Sequence, residues 1–167
     1  MERADMSSYR VTGVLTPENL EKILPSRERL EKGPVVIVEC IQKIPCDPCA
    51  HICRFDAIRK DSVVDPPEVD YEKCTGCGEC IAACPGLAIF VVNLKHKNDK
   101  ASVTIPYELL PTPRREEIYE ALDREGKPVG EARIIATRKV KDRTVVVTMA
   151  VKKHLAMIVR NIGRKLR

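Results

Sequence analysis

All eight cysteines of this 167-residue chain lie between Cys40 and Cys84, and none falls in the other two thirds of it. Cysteines that merely filled a core would be scattered. The stretch Met1 to Arg10 has no apolar signal-peptide centre, so the expectation is a cytoplasmic protein whose thiols stay reduced rather than a disulfide framework. Confined in this way, the cysteines read as metal ligands. The region also repeats itself. A shift of 31 residues lays Cys46, Cys49, Cys53, Ala57 and Ile58 on Cys77, Cys80, Cys84, Ala88 and Ile89. The remaining pair does not superpose: Cys40 lands on Tyr71 and Cys74 on Lys43, so the first half carries three extra residues between its first and second cysteine.

The second half, Cys74 to Pro85, runs C-x2-C-x2-C-x3-C-P. Two-residue spacers let three consecutive thiolates grip three corners of a small iron–sulfur cubane, and Gly76 and Gly78 relax the backbone so that its N–H groups approach the sulfurs. The x3 spacing carries the fourth cysteine onto a short helix aimed toward another cluster. Pro85 ends that helix. The first half runs Cys40-x5-Cys46-x2-Cys49-x3-Cys53, with Arg54 in the place of proline. Zinc is the rival metal, because Cys46-x2-Cys49 and Cys74-x2-Cys77 alone suit a ribbon. It leaves Cys40, Cys53, Cys80 and Cys84 without a task.

On these motifs, residues 35–92 resemble two-cluster bacterial-type ferredoxins. The resemblance implies two [4Fe-4S] clusters with crossed ligation. The first would take Cys40, Cys46, Cys49 and Cys84; the second would take Cys74, Cys77, Cys80 and Cys53. The longer spacing after Cys40 leaves a 3Fe–4S form open for the first. Ile44-Pro45 is expected to pin that loop and Ile41 to cover the cluster. With cysteine at every corner no iron is open to substrate, so no catalytic residue is expected and the role is one-electron transfer.

A looser resemblance is carried by Leu24-Pro25-Ser26-x-Glu28-Arg29-Leu30-x-Lys32-Gly33-Pro34-Val35, by Glu39-Cys40, and by Ile44-Pro45-Cys46-Asp47-Pro48-Cys49. These residues are similar to small iron–sulfur subunits of FAD-dependent amino- or imino-acid dehydrogenases of the proline or hydroxyproline type. That similarity implies an FAD-containing dehydrogenase as partner in a hetero-oligomer, with the flavin subunits performing the oxidation. A free ferredoxin-type carrier is the alternative, and the long extensions on either side of residues 35–92 favour a subunit.

Outside the cysteine region the patterns are those of an α+β chain. A helical lead-in is expected over residues 1–34, with Thr16-Pro17-Glu18 opening one helix and Ser26 capping another before Gly33-Pro34. Val35–Val38 reads as a strand leading to Cys40. In residues 93–167 a small β-rich docking module is expected. Ala88–Leu94 with Ala101–Ile105, across His96-Lys97-Asn98-Asp99, and Val129–Val140 with Thr144–Val151 read as hairpins. Arg114–Leu122 and Lys153–Val159 read as short helices.

Charge is uneven. Residues 133–167 hold eleven Lys or Arg and one acid, although the whole chain carries only +5. Lys152, Lys153, Arg160, Arg164, Lys165 and Arg167 therefore raise a nucleic-acid-binding alternative. With six aromatics in the chain and none among those charges, a base-stacking platform is missing and no nucleic-acid partner is expected. No transmembrane segment is expected either. His51 reads as a cluster-shell or surface residue, His96 and His154 as solvated, and Phe55, Tyr71 and Phe90 as packing around the clusters.

Overall fold

The structure, a computed structural model, describes residues 9–21, 23–97, 99–140 and 144–167. Asn98 of the expected turn lies outside the described residues. The lead-in forms three short helices, α1 (Tyr9–Thr12), α2 (Pro17–Leu20) and α3 (Arg27–Lys32). Thr16 and Asn19 cap the start of α2 reciprocally. The Thr16 hydroxyl accepts from the Asn19 N–H at 3.4 Å, and the Asn19 amide oxygen accepts from the Thr16 N–H at 3.0 Å. Ser26 caps α3 by accepting from the Arg29 N–H at 3.1 Å.

Next come β1 (Val35–Val38), α4 (Pro48–Ile52), β2 (Ile58–Arg59), β3 (Glu68–Val69), α5 (Glu79–Ala83) and β4 (Ile89–Asn93). The rest is β5 (Lys100–Tyr107), β6 (Ile118–Leu122), β7 (Pro128–Lys139), β8 (Val145–Lys152) and β9 (Asn161–Lys165). β2 and β3 pair with each other, and the other strands form one antiparallel sheet in the order β1-β4-β5-β8-β7-β6-β9. Both expected hairpins are present, although β4 and β5 continue straight into the sheet that holds β1.

Two expected helices are strands or turns instead. Arg114–Leu122 contains β6, and the chain after Lys153 makes only a 3-10 turn (Lys153–Leu155) before β9. Ile118 and Leu122 are four apart, which suits a helix face, yet over five residues the same spacing also suits one face of a strand. Pairing with β7 and β9 decides it.

β1 and β4 are buried on both faces, which explains why Val35–Val38 is an unbroken apolar run. Val35, Ile37, Phe90 and Val92 face a large core shared with β5 to β9. Val36, Val38, Ile89 and Val91 face a second core with Cys49, Ile58, Cys80 and Ile81. β5, by contrast, alternates over its first part, as a one-sided strand does.

The two ends of the large sheet come together. Glu39, just past β1, accepts from Arg124 Nε at 2.9 Å and from Arg160 Nε at 2.7 Å, and these arginines flank β6 and β9. The sheet is therefore curled, with an ion triad clasping its ends.

Candidate metal centre

The 31-residue repeat is a structural pseudo-twofold. Val38 pairs with Ile89 and Ile37 with Phe90; Ile58 pairs with Val69 and Arg59 with Glu68. Each residue of one pairing maps onto a residue of the other by the same shift. α4 and α5 superpose likewise, and each ends in a cysteine, Cys53 or Cys84, in extended conformation. Three residues later, Asp56 and Leu87 both take positive φ, at 48° and 53°. That turn aims the next backbone N–H at the sulfur: Ala57 donates to Cys53 Sγ at 3.3 Å, and Ala88 to Cys84 Sγ at 3.5 Å.

The halves differ at their first cysteine, and the strands show how. From Val38 to Cys46 and from Val69 to Cys77 the chain advances by the same eight positions. No loop is lengthened; Cys40 simply stands three positions nearer its strand than Cys74 does. Ile44 and Pro45 do not pin this loop, since both are exposed. Lys60 does so instead, its Nζ donating to the carbonyls of Cys46 and Val63, while the Cys46 N–H donates to Val63 O at 3.0 Å. Ile41 is half-buried.

All eight thiols are free, and the charges that shift Cys40, Cys49 and Cys80 come from two separate sets of them. Burial pushes the Cys40 thiol up, and Cys84 and Cys46 push it further against the opposing pull of Lys60. Burial likewise raises Cys49, with Cys84 and Cys40 adding to it. In the other group, burial lifts Cys80 to about 12, with Cys74, Cys77 and Cys53 contributing. A cavity lies among Cys53, Cys74, Cys77 and Cys80, walled by Val36, Ile58 and Phe55. Among the described residues, no three Cys, His, Asp or Glu side chains converge where a single ion would sit. Sulfurs spread around a hollow, with backbone N–H groups aimed at them and apolar walls, fit a polyatomic cluster better than zinc.

The lead-in helices complete the second group's site. Arg29 is 8% exposed and donates to the carbonyls of Tyr71 and Cys74, each at 2.6 Å. Tyr71 in turn donates its hydroxyl to Ile23 O. Gly76, at φ +68°, lies so close to Pro34 that a Cβ would sit 2.6 Å from the Pro34 Cβ. The Val36 N–H donates to Cys74 Sγ at 3.4 Å.

The accessory residues sort unevenly. His51 is exposed and contacts Asp47 at 2.9 Å, so it is a surface residue. His154 is exposed, but His96 is half-buried rather than solvated. Phe55 lines the second group's cavity. Phe90 faces away from the cysteines into the large core, with Arg160 4.9 Å above its ring. Arg160 is no tail cation: it is 7% exposed and bound to Glu39. Arg164, Lys165 and Arg167 pair with Glu120, Glu117 and Glu131.

Sequence reasoning missed Arg29, Lys60 and the Glu39–Arg124–Arg160 triad as parts of the site. Arg29 and Glu39 stood in the sequence only as residues that carry a resemblance.

Residues 67–90 match the model of the 4Fe-4S binding domain. Over 83 residues the chain is 40% identical to an uncharacterized ferredoxin of Methanocaldococcus jannaschii, covering 47% of this chain and 51% of that one. It is 42% identical over 60 residues to one component of an ion-translocating oxidoreductase complex of Methanosarcina acetivorans, covering 35% and 22%. Identity to the polyferredoxin-like subunit of an aliphatic sulfonate oxidoreductase of Pyrococcus furiosus is 40% over 47 residues, covering 28% and 27%. The chain thus spans about half the length of the first of these relatives and less of the others. No solved structure matches. Among the described residues no helix is long and apolar enough to cross a membrane. A 4Fe-4S binding domain matched over residues 67–90, ferredoxin-like relatives over part of their length and the thiols gathered in the same region support an iron–sulfur protein of ferredoxin type.

Proposed function

We propose that the chain is a dicluster electron-transfer subunit, not itself catalytic. One 4Fe–4S cluster sits on Cys40, Cys46, Cys49 and Cys84, the other on Cys74, Cys77, Cys80 and Cys53. The observation that carries this reading is the apolar-walled cavity in which Cys53 of the first half joins Cys74, Cys77 and Cys80 of the second, across a pseudo-twofold in the strand pairing. In this reading Cys84 and Cys53 change sides, each standing at the end of the helix of its own half. When bound, such clusters exchange single electrons with little rearrangement. The protein's part is to hold the thiolates, donate N–H bonds to their sulfurs and keep water out with Val36, Ile58, Ile81 and Ile89. Exposed Cys77, beside the 45%-exposed Phe55, leaves the second site a short way to the surface for a partner.

The partner in this reading is an FAD-containing dehydrogenase of amino or imino acids, within a cytoplasmic hetero-oligomer. The lead-in residues that resemble such subunits support it, and so does the oxidoreductase-complex membership named for several relatives. Anaerobic reconstitution tests the clusters: about eight irons and eight sulfides per chain, and EPR signals on dithionite reduction, are expected. Stoichiometric zinc, or half the iron, would overturn it. Purification of the native assembly tests the partner, and a monomer that shuttles electrons alone establishes the free carrier instead.

A further inference from the structure

Among the described residues, Arg29 is a buried cation with no anion beside it. Its guanidinium, 8% exposed, donates to Tyr71 O and Cys74 O at 2.6 Å, Pro34 O at 3.2 Å and Gly33 O at 3.5 Å. Every acceptor is a neutral carbonyl, and among the described residues no carboxylate pairs with it. The other buried arginine shows the ordinary solution, since Arg160 is bound to Glu39 at 2.7 Å. Taking an unpaired charge out of water is costly unless an opposite charge lies nearby. Arg29 instead spends its hydrogen bonds on the loop that carries Cys74 and on Pro34, against which Gly76 packs.

We infer that Arg29 is the countercharge of the cluster held by Cys74, Cys77, Cys80 and Cys53 and raises that cluster's reduction potential. This rests on the two-cluster reading above. Four thiolates around an iron–sulfur core carry net negative charge. Reduction adds one electron and no proton, so it makes the site more negative by one. A fixed positive charge in a dry, low-dielectric setting favours that reduced form, and here salt cannot screen it as it would a surface lysine. The first site has a different cation, Lys60, on a different loop. The two potentials are therefore set by separate residues.

The test is an EPR-monitored redox titration of the anaerobically reconstituted full chain and its Arg29→Gln, Arg29→Met and Arg29→Lys variants. Cys77→Ser, at the exposed ligand, identifies the second cluster by its altered signal. Gln keeps a donor for the carbonyls without the charge. Arg29→Gln and Arg29→Met are expected to make reduction of the second cluster at least about tenfold less favourable, equivalent to about 59 mV for a one-electron couple. The first cluster should move much less, and Arg29→Lys should stay near wild type. Neutral variants that lose the second cluster while Lys retains it also support the need for charge. Unchanged potentials in Gln and Met, equal shifts in both clusters, or cluster loss in all three variants would overturn the inference, the last by making Arg29 a structural clamp. A wild-type chain with no reducible clusters sinks the two-cluster reading itself, whereas the other outcomes leave it standing.

Discussion

Glu39 and Cys40 are neighbours with opposite duties, set by strand alternation: Cys40 joins the thiols, while Glu39 turns to the large core and meets two arginines. Burial by itself would raise the Glu39 carboxyl, but Arg124 and Arg160 more than offset this and hold it below its usual value. Glu39→Gln leaves the buried Arg160 and the half-buried Arg124 without their carboxylate. It should cost about 3 to 5 kcal/mol in a denaturant titration of the holoprotein, as removal of one partner from a buried ion pair does. Gly76 is constrained differently. Gly76→Ala must adopt the left-handed conformation at φ +68° and place its Cβ against Pro34. A loss of about 1 to 2 kcal/mol is expected from the conformation alone, with iron retention falling selectively at the second site. A variant as stable and iron-replete as wild type would show that Pro34 yields freely.

At the scale of elements, β9 pairs with β6, buries Ile162, and finds acidic partners for its charges on β6 and just before it. Arg164 reaches Glu120 at 3.2 Å and Lys165 reaches Glu117 at 2.6 Å. Lys165 is the main reason that Glu117 titrates at about 2, helped by the Arg114 N–H and the Tyr119 hydroxyl. A carboxylate whose folded pKa lies below its unfolded one stabilises fully above the unfolded value and loses that contribution as pH falls toward the folded one. The stability gap between wild type and Glu117→Gln should therefore be flat above about pH 5 and shrink below the usual carboxylate value of 4.5. A gap that persists undiminished to pH 3 in urea midpoints would mean the charge on Glu117 is not what ties β9 down. The same element explains why a basic run raised a nucleic-acid-binding alternative. Composition shows eleven cations in residues 133–167 but not Glu117, Glu120 and Glu131, which lie beside three of them.

For the whole molecule, the cluster region and the β-rich region share one sheet. β4 bonds to β1 on one side and to β5 on the other, and Val35, Ile37, Phe90 and Val92 lean on residues that follow Asn93. A fragment ending at Leu94 would expose that face of both strands and lose both clasping arginines. It should aggregate or bind well under the full complement of iron, as read by gel filtration and iron analysis. A monodisperse fragment with the full complement would show the later strands to be dispensable for the site.

How much was legible beforehand divides along physical lines. The cysteine spacing, the duplication, the helix caps at Thr16 and Ser26, and the paired strands follow from local chemistry: ligand reach, hydrogen-bond satisfaction at helix ends, and side-chain alternation. These signals are carried by residues close together in the chain, so the sequence determines them unaided. β6 and β9, the burial of Arg29 and Arg160, the anchoring role of Lys60 and the equal length of the two strand-to-cysteine segments were settled only by the tertiary structure. A charged or ambiguous stretch takes its state from distant partners, such as Cys74 for Arg29, 45 positions away, and Glu39 for Arg160, 121 positions away. No periodicity within the stretch records where those partners will be.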